Sequence, residues 1–369
     1  MARDFGEVID RRGTGSSKWS RYPGDVLPLW VADMDFAAAP EIVAALAERL
    51  AHPVFGYCVA RPELRERIVE DMARNYGWSI RPEDVVFLPG VEPGFNMAIR
   101  ALLEPGQALA IQSPIYAPIR KAPAHWNLQA VHLPVDVPFA DQTAALARAD
   151  AVLLCNPHNP TGKVYGRSEL ADLAAATGDR PIISDEIHCE LLFDGNRHVP
   201  IASLDSSVEQ RTITLMSAAK TYNIAGLKAA FAIVPNRVLR ERFDGARLGL
   251  VDSVNVFGLE AALAAFRDGG RWKAEMLAYL QSNRDWLVEA LRSELPGIRM
   301  EKPQATFLAW LDCTALGLAD PHEHFLHKAR VGLSAGADFG AAYGQFVRLN
   351  FGCPRPLLAE AIERMAASL

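Results

Sequence analysis

Short apolar runs recur along this chain, and each ends in a loop of polar residues, glycine and proline. DVVFL (84–88), QALAIQ (107–112), AVLLC (151–155), PIIS (181–184), RTITLM (211–216) and AAFAIV (229–234) have the length and aliphatic content of buried strands. Helical patterns alternate with them, as in PEIVAALAERL (40–50), with proline in its tolerated first turn, FNMAIRALL (95–103) and SELADLAAAT (168–177). Alternation of this kind predicts βα units and a mostly parallel central sheet sandwiched by helices. In such a sheet the ligand crevice lies outside the carboxyl ends of the strands, so the loops after these runs are where function is expected.

The pattern changes toward the end of the chain. Residues 272–292 place Met276, Leu280, Leu287 and Leu291 near one helical face. QATFLAWLD (304–312) alternates like a half-exposed strand, and a last short strand is expected around FVRLNF (346–351). This half reads as a smaller α+β domain. The expected division is a large domain over 46–255 and a small one over 256–369, joined by the N-terminal segment 1–45. Residues 1 to about 27 read as an irregular arm. A chain of 369 residues is long enough for roughly two such cores.

Charge and composition exclude several classes. A net charge of −6 without a basic run offers no footprint for a nucleic acid. No stretch reaches the ~18 apolar residues of a membrane span. The charged start MARDFGEVIDRRG lacks a signal-peptide core, so a cytoplasmic protein is expected. Five cysteines, at 58, 155, 189, 313 and 353, stand singly without the spacing of a zinc site or a disulfide framework. No GxGxxG follows a strand, which argues against a nicotinamide dehydrogenase.

The strand-end loops carry a set of residues with one chemistry in common. NPHNPTG (156–162) supplies asparagine, SDEIH (184–188) an aspartate, and SAAKTYNIAGLK (217–228) a serine and two lysines. SPIYAP (113–118) supplies an aromatic residue, and a glycine loop at 90–94 opens a helix. Pyridoxal 5′-phosphate needs a lysine for its aldehyde, a carboxylate for its ring nitrogen and a flat side chain for its ring face. It also needs hydroxyls, helix-start amides and a cation for its phosphate.

On these motifs the chain resembles fold-type I pyridoxal phosphate enzymes of the aminotransferase class I/II superfamily, whose fold is that of aspartate aminotransferase. Within it, WVADMDF (30–36), SDEIH and the KT-N-AGLK pattern resemble the MalY/PatB-type cystathionine β-lyase branch. The resemblance runs from about residue 27 to 356. It implies that Lys220 is the Schiff-base lysine and the acid/base, Asp185 the ring-nitrogen partner, and Asn159 the partner of the ring hydroxyl. It implies that Tyr116 stacks on the ring, that Ser217 and Lys228 anchor the phosphate, and that Gly90, Val91 and Glu92 offer backbone amides to it. Tyr57 is implied to reach the phosphate of a neighbouring subunit, hence a homodimer, and Arg348 to grip the substrate α-carboxylate. Asn156 reads as a turn residue.

Two positions depart from the pattern. Glu92 puts an acid where the branch has a small apolar residue, so its side chain is expected to point away from the phosphate. His188 stands where many aminotransferases have tyrosine, and reads either as a residue that tunes the cofactor or as a core histidine. The reaction implied is β-elimination of L-cystathionine or a related cysteine S-conjugate to thiol, pyruvate and ammonia. An aminotransferase would use the same lysine, aspartate and arginine and stays open as the alternative. A binding module without turnover is the further reading, which the presence of both Lys220 and Arg348 opposes.

Overall fold

The computed structural model describes residues 4–369. Its centre is a seven-stranded sheet built from β1 (Val85–Leu88), β2 (Ala108–Ser113), β3 (Gln129–Pro134), β4 (Ala151–Cys155), β5 (Ile182–Asp185), β6 (Thr212–Met216) and β7 (Ala230–Ile233). The strand order is β1-β7-β6-β5-β4-β2-β3. Every pairing from β6 to β3 is parallel, whereas β7 runs antiparallel to both its neighbours.

Side-chain alternation packs helices on both faces. Leu109, Ile111, Leu153 and Cys155 join Phe95 and Ile99 of the helix Val91–Leu102 in one buried cluster. Their sequence neighbours Ala108, Ala110, Val152 and Leu154 join Leu170 and Leu173 of the helix Arg167–Thr177 in another. Strands buried on both faces read as continuous apolar runs, and for that reason they are legible in the sequence. β3 is the exception. Only Val131 and Leu133 of its six residues are buried, because it is the edge strand, and an apolar-run criterion passes over it.

The helix Val91–Leu102 lies close on the sheet through Gly94. A Cβ there would stand 2.9 Å from methyl groups of both Leu88 and Leu215. This close approach fixes the helix start against the ends of β1 and β6.

The second half forms a four-stranded antiparallel sheet in the order Ser334–Ala335, Phe346–Asn350, Leu308–Asp312, Arg299–Met300. The helix expected over 272–292 is Gly270–Glu294, with Met276, Leu280, Leu287 and Leu291 all buried. The strand expected from 304 begins only at Leu308. Thr306 has φ +71°, its amide bonds to the carbonyl of Leu191, and the residues before it bond to Gly162 and Phe193 in the loops after β4 and β5.

The arm is more ordered than its composition suggests. Ser16 caps a one-turn helix at Ser17–Ser20, and Leu27–Pro28 pairs in parallel with Val331–Gly332. Lys18 and Asp35 form a buried ion pair at 2.6 Å, and Asp35 also accepts from Trp19 Nε1 and Arg11. Among the described residues no helix is long and apolar enough to cross a membrane.

Candidate active site

Because β1, β2, β4, β5 and β6 point the same way, their carboxyl ends share one edge of the sheet. β7 runs the other way, so it begins at that same edge, with Phe231 paired to Met216. The reversal brings Lys228, just before β7, beside Ser217, just after β6. A cavity of about 920 Å³ opens there. Lining it are Lys220, Asp185, Asn159, Tyr116, His188, Ser217, Lys228, Gly90, Val91, Glu92 and Arg348, eleven of the twelve residues singled out in the sequence.

Lys220 follows β6, and its Nζ donates to the carbonyl oxygen of Ala32 at 2.6 Å. Burial and the Arg348 charge hold its pKa down at about 8, against the attraction of Asp33 and Asp185. Asp185 ends β5 in a buried position and accepts from the amide of Ile187 at 3.2 Å. Burial pushes its carboxyl up to about 7, which the Ile187 amide and Lys220 only partly offset. Its environment therefore favours a cationic partner at this carboxylate.

Arg348 lies on the strand Phe346–Asn350 of the small sheet. Its guanidinium donates to Asn159 Oδ1 at 2.9 Å, to the Trp30 carbonyl at 2.8 Å and to Ser334 Oγ at 3.2 Å. It also stands over the Phe339 ring, 4.8 Å from the centroid. Burial lowers its pKa to about 10. The Nε atom is buried and makes no hydrogen bond.

His188 is buried, edge-on to Phe307, and its Nδ1 has no hydrogen-bond partner. Burial, with Lys220 and Arg348 nearby, drives its pKa well below the usual value, so the ring is neutral at pH 7. Tyr116 precedes the helix Ala117–His125, and its hydroxyl is pushed up to about 12, by burial first and by the Glu92 charge second. Glu92 thus acts on Tyr116 from within the cavity lining. Ser217 Oγ donates to the Ala229 carbonyl at 2.6 Å and accepts from the Ala219 amide at 2.9 Å.

The helix start at Val91 carries amides that no preceding turn can satisfy, and Pro93 has none to offer. Asn156 serves the loop itself, accepting the Tyr165 amide at 3.0 Å. Tyr57 is the residue that the fold keeps away. It is fully exposed and does not line the cavity.

These features fit pyridoxal phosphate. A lysine of lowered pKa, a buried carboxylate short of a cationic partner, and an anion-binding helix start beside Ser217 and Lys228 match its three polar ends. Buried nitrogens without partners on His188 and Arg348 line the same space.

The sequence reading did not identify the side that the arm contributes. Trp30, Val31 and Ala32 line the cavity, and two asparagines hold them there. Asn223 donates to the Met34 and Phe36 carbonyls and accepts from the Met34 amide. Asn350 donates to the Val31 and Asp33 carbonyls, both at 2.6 Å. WVADMDF stood out as a motif, but Lys220 and Arg348 are held by the Ala32 and Trp30 backbone carbonyls, which no side chain signals.

A model of the aminotransferase class I and II family matches residues 24–365. The chain is 35% identical to cystathionine beta-lyase PatB of Bacillus subtilis over 99% of its own length and 100% of that protein's. It superposes on the crystal structure of OvoB with a TM-score of 0.94 at 44% identity, covering 100% of this chain and 99% of the other. With the PLP-bound C-S lyase from Staphylococcus hominis the TM-score is 0.93 at 29% identity, over 100% and 98% of the two chains.

Proposed function

The chain belongs to the aminotransferase class I and II family, and on that premise we propose that it is a pyridoxal phosphate-dependent carbon–sulfur β-lyase. It cleaves L-cystathionine or a related L-cysteine S-conjugate, with water, to a thiol, pyruvate and ammonia. The observation that carries the reading is the 2.6 Å contact between Lys220 Nζ and Ala32 O, with Asp185 and Arg348 lining the same cavity. Full-length likeness to cystathionine beta-lyase PatB and to a PLP-bound C-S lyase supports the reaction and the cofactor.

Bound pyridoxal phosphate supplies an aldehyde for amines and a ring that takes up electron density from the substrate α-carbon. The chain's residues do the rest. Lys220, with its lowered pKa, takes the proton from the α-carbon. Asp185 keeps a proton on the ring nitrogen, and Asn159 bonds the ring hydroxyl. Tyr116 stacks on the ring, while the Val91 and Glu92 amides, Ser217 and Lys228 hold the phosphate. Arg348 holds the substrate α-carboxylate with its planar fork. His188 stays neutral and adds no charge beside the lysine.

Tyr57 acts at the site of a second copy, so the working unit is a homodimer. Support comes from the exposed apolar side chains of Val54, Phe55, Tyr57 and Val59, consecutive enough to form one surface. We read 46–255 as the cofactor domain and 256–369 as the small domain, joined by 1–45. Five cysteines without disulfides favour a cytoplasmic setting.

The test is purified protein loaded with pyridoxal phosphate and given L-cystathionine without any keto acid. Sustained release of pyruvate and free thiol, lost in Lys220→Ala, is expected. Turnover only after a keto acid is added would make the protein an aminotransferase instead. No spectral response to any amino acid would sink both.

A further inference from the structure

Four cationic side chains line the cavity, and three of them already have work. Arg348 is bonded to Asn159, Trp30 and Ser334, Lys220 to Ala32, and Lys228 stands beside Ser217 at the phosphate end. A fourth, Arg21, comes from the arm and lines the cavity with no carboxylate partner among the described residues. His322 also lines it but is matched by Glu323 at 3.1 Å.

Arg21 is positioned without being neutralised. Its guanidinium lies over the Trp30 indole, 4.2 Å from the ring centroid, and 5.4 Å from that of Tyr22. The indole holds the guanidinium at the cavity wall, and a planar fork of this kind takes a carboxylate through two parallel bonds. Trp30 is also the residue whose carbonyl anchors Arg348. One residue therefore carries both cations, Arg348 on its backbone and Arg21 on its ring. Arg21 is exposed, yet among the described residues it pairs with no acid and lies instead over the Trp30 ring at the cavity wall.

We propose that Arg21 binds a carboxylate at the far end of the thiol leaving group, and so selects substrates in which that thiol is itself an acid. The proposal rests on the lyase reading. Arg348 takes the α-carboxylate of the half that becomes pyruvate, and Arg21 takes the carboxylate of the half that leaves. Asp338 lines the same cavity and forms no ion pair with Arg21 among the described residues.

Two substrates of matched size separate the effects, S-(2-carboxyethyl)-L-cysteine and S-propyl-L-cysteine. In Arg21→Gln the KM for the carboxyethyl substrate is expected to rise about tenfold with kcat nearly unchanged, the mark of lost ground-state binding. The propyl substrate is expected to keep its KM within about twofold, and Arg21→Lys to recover part of the difference. Equal changes on both substrates, or no change on either, would overturn the assignment and leave Arg21 a solvated surface arginine.

Binding is also measured without turnover, by calorimetry on cofactor-loaded Lys220→Ala with and without Arg21→Gln. Preference for the carboxyethyl ligand that disappears with Arg21 upholds the proposal even if the wild-type protein releases no pyruvate. Loss of pyruvate release from both substrates in the wild type would count against the lyase reading alone. No calorimetric preference would count against Arg21.

Discussion

Lys220 Nζ and the carbonyl oxygen of Ala32, 188 residues apart in sequence, are 2.6 Å apart in space. The contact places the Lys220 amine at the junction of the arm and the large sheet, where burial lowers its pKa from 10.5 to about 8. Since burial disfavours the ammonium, the folded protein gives up this proton near pH 8 while the unfolded chain keeps it to about 10.5, so the group's contribution to stability rises with pH across that window.

The free amine is the form that reacts with an aldehyde. The rate at which apo-protein takes up pyridoxal phosphate, followed by visible absorbance, is expected to climb with pH and flatten above about 8 to 9. A midpoint near the ordinary lysine value would mean that the site does not tune Lys220.

Asp185 titrates with the opposite consequence. Its pKa is raised from 3.8 to about 7, so the folded apo-protein holds a proton that the unfolded chain gives up. Stability from this group is full below the unfolded value and falls as pH rises toward 7, by up to about 1.4 kcal/mol per pH unit. Asp185→Asn should remove that slope from apo-protein denaturation curves and also abolish turnover. An unaltered slope would show that the carboxyl is not buried as described.

Asn223 joins the lysine loop to the arm through three bonds to Met34 and Phe36, in a left-handed conformation (φ +56°) that asparagine tolerates. Asn223→Ala leaves the Met34 amide and the Phe36 carbonyl without partners, and the Met34 carbonyl with Arg11 alone, at a cost of about 2–3 kcal/mol. The melting temperature should fall, and limited proteolysis should cut the arm sooner. A variant as stable and as resistant as the parent would remove Asn223 from the account.

Tyr57 is tested by mixing subunits. Tyr57→Ala and Lys220→Ala should each be weak or inactive alone. Refolded together, they form mixed dimers in which one site has both native residues, so roughly a quarter of native activity should return. No recovery, with dimers present by sedimentation, would mean that Tyr57 serves no neighbouring site.

Much of the site was legible because its chemistry is local. β4, β5 and β6 are buried on both faces, so their apolar runs stand out; Asp185 ends β5, and Asn159 and Lys220 follow β4 and β6 by four residues each. Arg348 was identified through resemblance, since nothing near FVRLNF says what it faces. Its bond to Asn159 spans 189 residues.

The sequence by itself determined the strands of the large sheet that are buried on both faces, that polar side chains stand at their ends, and which chemistry those side chains share. It could do so because burial and strand geometry impose a pattern on neighbouring residues. Only the tertiary structure decided that β7 reverses direction to bring Lys228 beside Ser217, that Tyr57 lies outside its own site, and that Trp30 and Ala32 close the cavity. Strand pairing direction is set by partners distant in the chain. The contacts that Ala32 makes to Lys220 and Trp30 makes to Arg348 use backbone carbonyls, which every residue carries, so no residue type marks them.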